Sequence, residues 1–181
     1  MSVTKTMGLA AMLLLSGCGT VPVVTDLAPE RITAMCGVER DDFAKVTRVV
    51  SPRIGFADPS VVPGEFNAYY QFTAARRDGE TNIHYFLEVL TRSGTWAFWE
   101  YAYDRSGRRF DFPSPRRDLD DTYAIVTEVC AAPLPRDYLD QVALVGTEWK
   151  VYGLRATKRF GIPPNLASGF LARCDKQFGA R

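Results

Sequence analysis

Read for its alternation of apolar and polar positions, the chain is mostly strand. Phe43, Val46, Val49 and Val50 mark a strand over Asp42–Val50, which Ser51-Pro52 ends. Residues 52–65 hold Pro52, Gly55, Pro59, Pro63 and Gly64 and read as a long irregular connection. The strongest pattern lies in 66–112. Phe66–Arg77, Thr81–Thr91, Thr95–Asp104 and Arg108–Phe112 are separated by Asp78-Gly79, Ser93-Gly94 and Arg105-Ser106-Gly107, so a four-stranded antiparallel meander is expected. Asp118–Asp121 reads as an acidic turn, Thr122–Ala131 as a fifth long strand and Glu148–Leu154 as a further one. Breaks are expected at Ala132–Pro135 and Gly161–Pro164.

The period changes in three places. Pro29–Met35 reads as a short helix with Gly37 as its stop. Arg136–Val145 places Tyr138, Leu139 and Val142 at helical spacing before Gly146. Asn165–Phe178 repeats Leu166, Phe170, Cys174 and Phe178 every four residues, a core-facing stripe. The expected class is therefore α+β, mainly β: an antiparallel sheet of five to seven strands with two C-terminal helices packed on it. Thr95–Tyr103 is apolar on both alternating sets. A sheet with one wet face alternates cleanly, so this one is expected to be covered on both faces by helices, a second sheet or a ligand.

The N-terminal pattern is of another kind. Lys5 precedes a short apolar run, Met7–Leu15, followed by Leu15-Ser16-Gly17-Cys18. The run is far below the roughly 20 residues that span a bilayer. These residues resemble the lipobox of bacterial lipoproteins, cut by signal peptidase II. The resemblance covers residues 1–18 only. It implies that residues 1–17 are a signal peptide and that Cys18 becomes the lipidated first residue. Two or more acyl chains anchor stably where one does not. Gly19 follows the cysteine, so the resemblance further implies delivery to the periplasmic face of the outer membrane in a Gram-negative envelope. Residues 18–28 then form the lipidated Cys and its tether, and 29–181 a single globular domain.

Charge adds little. Of 22 basic and 21 acidic side chains only Lys5 lies in residues 1–17, so the remainder is balanced. No field of either sign points to nucleic acid or to a cationic partner. The expected partners are the membrane, through Cys18, and an envelope protein, lipid or peptidoglycan. Cys36, Cys130 and Cys174 would lie in an oxidising compartment, and one bridge or none are both open.

Candidate chemistry is sparse. His84 is the only histidine and lacks metal-spaced partners, so no metal or cofactor is expected. Glu88 and Glu100 on neighbouring proposed strands leave an envelope hydrolase as a distant alternative. The meander would bring the turns at 78–80 and 105–107 to one end, gathering Arg76, Arg77, Arg108 and Arg109 as a candidate anion site. Trp96, Trp99 and Tyr101 are candidate contacts for an apolar or glycan ligand. The leading expectation is a non-enzymatic lipoprotein that binds or scaffolds an envelope component.

Overall fold

The computed structural model describes residues 26–56, 68–120 and 124–179. Cys18, the rest of the lipobox and the signal-like run lie outside them. The elements are α1 Pro29–Met35, β1 Gly37–Asp41, β2 Val46–Val50, β3 Ile54–Gly55, β4 Ala68–Arg77, β5 His84–Ser93, β6 Trp99–Asp104, β7 Arg109–Asp111, β8 Arg116–Asp120, β9 Ile125–Leu134, α2 Arg136–Val145, β10 Thr147–Gly153, β11 Thr157–Ile162 and α3 Pro164–Phe178. The chain is an α+β, mainly β fold of antiparallel strands, with the C-terminal helix packed on the larger sheet. No helix among the described residues is long and apolar enough to cross a membrane.

The strands divide into two sheets, and here the expected meander is corrected. The larger sheet runs β1-β2-β4-β5-β9-β8, with β3 also on β4, and the smaller runs β11-β10-β6-β7. β4 and β5 form the expected hairpin, with Phe72 opposite Leu87. The chain then leaves that sheet. β5 takes β9 as its second neighbour, Val89 opposite Cys130, while β6 pairs with β10, Ala102 opposite Val151. A tight Ser93-Gly94 turn would have kept β6 beside β5. Instead residues 96–98 form an irregular crossing held by contacts described below.

Several boundaries move for local reasons. Asp42–Val50 is the second half of a hairpin, not one strand: Asp41 Oδ1 accepts the backbone N–H of Phe43 and Ala44 and folds the chain over at 42–45. The acidic turn near 118 is an edge strand, β8, whose five residues are all exposed. β9 runs straight through Pro133, opposite Phe86. β8 reaches only to Val129, so among the described residues no strand pairs with that flank of β9 at Pro133 and an imide nitrogen costs no ladder bond on it. β11 continues through Gly161 to Ile162, and α3 starts one residue earlier than expected with Pro164 in its first turn. The end of the tether is docked rather than free: Leu27 is buried and Asn165 Nδ2 donates to its carbonyl at 2.7 Å.

The core explains the sheet division. Even-numbered positions of β4 point inward. Phe72 stacks on Phe170 of α3 at 5.4 Å, and Tyr70 stacks on Phe160 of β11 at 4.6 Å. One face of the larger sheet is thus shared between α3 and the smaller sheet. Tyr70 also donates its hydroxyl to the Gly161 carbonyl at 2.6 Å, joining the sheets by a hydrogen bond. The inner face of the smaller sheet stacks Trp149 on Phe110 at 4.4 Å, and Trp149 Nε1 donates to the Tyr138 hydroxyl of α2 at 2.8 Å. Each fully buried aromatic removes well over 100 Å² from water, so these rings are the largest contributors to stability. Helices α1 and α3 meet at Gly169, where a Cβ would lie 2.6 Å from the Pro29 carbonyl oxygen and 2.7 Å from Ile32 Cβ.

Candidate functional site

Two features stand apart from ordinary packing, one on the smaller sheet and one where the chain crosses between the sheets. The first lies on the outer face of the smaller sheet. Successive side chains alternate along a strand, so Tyr101 and Tyr103 of β6 share the face of Lys150 and Tyr152 of β10 and of Arg109 and Asp111 of β7. Tyr101 and Tyr152 stack at 5.3 Å, and Tyr103 meets both edge-on at 5.7 and 6.0 Å. The Arg109 guanidinium lies 4.2 Å over Tyr101, and the Lys150 ammonium 4.9 Å over Tyr152. Arg109 also pairs with Asp111 at 2.8 Å, which with the Tyr103 hydroxyl raises its pKa further. All three tyrosines are half-buried, so a rigid aromatic block stands on an otherwise open face. β7 and β10 flank β6 on opposite sides. Arg109 and Tyr152 therefore cover opposite faces of the Tyr101 ring.

The second feature is Glu128. It sits in β9 among apolar neighbours and is 1% exposed. Its Oε2 accepts the Ala97 N–H at 2.6 Å, its Oε1 accepts the Phe98 N–H at 3.0 Å, and Arg117 Nε donates to Oε1 at 3.2 Å. A buried carboxylate persists only with such partners. Phe98 is held at φ 55°, a region costly for a non-glycine residue. Arg117 and Arg155 lie over its ring at 5.2 and 5.4 Å. From the other side Arg155 N–H donates to the Ala97 carbonyl at 3.2 Å, and Gly153 lets the strands approach, since a Cβ there would lie 2.4 Å from Ala97 oxygen. Glu128 and the 153–155 corner thus pin residues 96–98 as they cross between the sheets. Every acceptor position visible on Glu128 is used internally, which makes it a structural clamp.

The residues singled out from sequence are dispersed. Trp99 is 1% exposed and donates Nε1–H to Thr91 Oγ1 at 2.9 Å, so it belongs to the core and cannot meet a ligand. Trp96 is half-buried at a cavity of about 160 Å³ with Arg155 and Lys158. Only Tyr101 sits in the aromatic block, whose other members, Tyr103 and Tyr152, were not among the candidates. The four arginines do not converge. Consecutive strand residues point to opposite faces, and the two pairs lie in different sheets. Arg76 stacks on Phe178 at 4.8 Å and donates to its carbonyl oxygen at 2.8 Å. Arg77 is exposed at the end of β4. Arg108 lies over Phe110 and Tyr138, and Arg109 over Tyr101. The expected anion site is not assembled.

The remaining candidates are separated too. Glu88 lies in the larger sheet and accepts from Gln71 Nε2 at 2.6 Å, while Glu100 lies in the smaller one, so they do not form a carboxylate pair. His84 is exposed, 4.0 Å from the Glu80 carboxylate. Cys36, Cys130 and Cys174 are buried and unbridged. Burial pushes Cys36 up to about 11 and Cys130 up to about 12, and raises Cys174 as well, so all three are thiols rather than reactive thiolates at neutral pH. Among the described residues no three His, Cys, Asp or Glu side chains gather as a metal cluster. No family model, no curated protein and no solved structure matches the chain.

Proposed function

We propose that the chain is a lipid-anchored protein of the bacterial cell envelope whose domain acts as a non-enzymatic binding or scaffolding module. The observation that carries the anchoring is Leu15-Ser16-Gly17-Cys18 after a short apolar run. The surface best suited to a partner is the block of Tyr101, Tyr103 and Tyr152 with Arg109 beside it. Tyrosine and arginine concentrate at recognition surfaces: tyrosine brings large contact area and a hydrogen-bonding tip with only two rotatable bonds to freeze, and arginine a planar fork of donors. Three mutually packed rings are already ordered before any partner arrives, which lowers the entropic cost of binding.

Ring packing bears on the kind of partner. Sugar stacking needs an open aromatic face, and both faces of Tyr101 are occupied. What the block presents are ring edges, hydroxyls and the flanking Arg109 and Lys150. That favours a protein surface of the envelope over a glycan. Anchoring is tested by labelling cells with a fatty-acid analogue. The wild-type chain should take up label and Cys18→Ser should not; equal labelling of both would refute the anchor. Recognition is tested by crosslinking in intact envelopes. Tyr152→Ala combined with Tyr103→Ala should abolish a specific crosslinked species that the wild type gives, and an unchanged crosslinking pattern would remove the tyrosine block from the argument.

A further inference from the structure

We infer that the end of the domain carrying Leu144, Val145 and the Pro163-Pro164 corner rests on the lipid bilayer. This builds on the anchoring reading above, because it turns on where the tether joins the fold. The chain enters the domain beside the N-terminal end of α3. Leu27 is buried there with its carbonyl held by Asn165, and Pro29 lies against Gly169 one turn further on. Only residues 19–26 separate Cys18 from Leu27. Fully extended, they reach about 30 Å, and any compaction shortens that. Leu27 is therefore held within about 30 Å of the lipid surface, and the end of the domain nearest Leu27 is the end the tether leads into.

That same end is where α2 stops. A Cβ at Gly146 would lie 2.8 Å from the Ile162 carbonyl oxygen and 3.0 Å from Pro164 Cδ, so the C-terminus of α2 abuts the N-terminus of α3. The last two residues of α2 are Leu144 and Val145, which are 80% and 82% exposed. α2 buries Tyr138, Leu139 and Val142, so Leu144 and Val145 contribute nothing to the core. Val145, Pro163, Pro164 and Arg105 border one open cleft of about 700 Å³. An apolar tip with an arginine beside it suits the interfacial layer, where apolar side chains enter the acyl boundary and a guanidinium stays at the headgroups.

Exposure alone does not select this end. Phe43 is also fully exposed, at the hairpin turn between β1 and β2. That turn sits beside the far end of α3: Arg76 bonds the Phe178 carbonyl, and Asp78 N–H donates to Lys45 oxygen at 2.8 Å. A helix of 15 residues spans about 22 Å, so Phe43 projects away from the tether while Leu144 and Val145 project beside it. The tether enters the domain at this end and not at the Phe43 end, and the bilayer is the occupant.

The test places an environment-sensitive fluorophore singly at Val145→Cys or Phe43→Cys in the full acylated chain. Both positions are bare, and the three native domain cysteines are buried. The protein is reconstituted in vesicles of phosphatidylethanolamine and phosphatidylglycerol containing a spin-labelled lipid. Quenching at Val145→Cys should exceed that at Phe43→Cys at least threefold. Equal quenching, or stronger quenching at Phe43→Cys, in a chain that is acylated and vesicle-bound would overturn this orientation while leaving the anchor intact. A chain that takes up no acyl label would overturn the anchor and the orientation together.

Discussion

Replacing Glu128 by glutamine keeps the shape of the side chain and removes its charge. The cost follows from the contacts. Glu128 accepts two backbone N–H groups and Arg117 Nε while 1% exposed. A hydrogen bond to a buried charge contributes about 1.5–3 kcal/mol. Glutamine retains one acceptor oxygen. Its amide NH₂ must then face the N–H of Ala97 or Phe98, or the Arg117 guanidinium, and a donor against a donor is worse than a vacancy. One charged bond lost plus one donor clash sums to about 3–5 kcal/mol, the range for breaking a buried ion pair from one side. Arg117 is the more exposed partner, its side chain 36% accessible; Arg117→Met leaves the buried carboxylate its two backbone N–H donors but no counter-charge and should cost about 2–4 kcal/mol. Urea unfolding followed by tryptophan fluorescence measures both. Trp96 and Trp99 flank the clamped segment, so the native-state emission of Glu128→Gln should also shift to the red. A Glu128→Gln stability within 1 kcal/mol of wild type would refute the clamp.

Two other outcomes follow from the packing. Gly169→Ala raises helix propensity in α3 by about 1 kcal/mol but drives a Cβ to 2.6 Å from backbone oxygen of Pro29, so overpacking of about 1–3 kcal/mol wins, and hydrogen exchange in α1 should accelerate. Alkaline pH should unfold the domain early. Cys36 and Cys130 are raised by burial to about 11 and about 12 from 9.0, so their contribution is complete below pH 9 and is lost as pH rises through the folded values. Each thiol adds a slope of about 1.4 kcal/mol per pH unit in that window. The urea midpoint should fall between pH 9 and 11, less steeply in Cys130→Ala, and a flat profile in the wild type would contradict this.

Local signals were legible and partner choice was not. α1 and α2 end where their periodicity and stop signals place them, because Gly146 and the chain after Met35 end helices by local geometry. The two-sided apolar pattern of 95–103 called for cover on both sides; the inner face is packed in the core, but the outer face carries the half-buried tyrosine block with no helix or second sheet over it among the described residues. Which strand lies beside which is decided by tertiary packing, and no local pattern encodes that β5 takes β9 or that β6 takes β10. β8 escaped because a wholly exposed edge strand has no alternation to read. Glu128 left a trace: Val126, Glu128, Cys130 and Ala132 share one parity, so a carboxylate stood on an apolar inward row. Tyr103 shared the parity of Tyr101, but Tyr152 joins them only through the β6–β10 register.

That register also governs when the domain can form. β5 gains its second neighbour only with Cys130 and its flanking residues, and β6 gains β10 only with Val151. A chain threaded N-terminus first across a membrane would therefore have no closed core until its last third had emerged. Pairing between residues distant in sequence pays its loop-closure entropy before any contact rewards it, which slows folding. The division of the strands between two sheets, each closed by late-arriving partners, thus leaves the core open until β9 and β10 are available to pair.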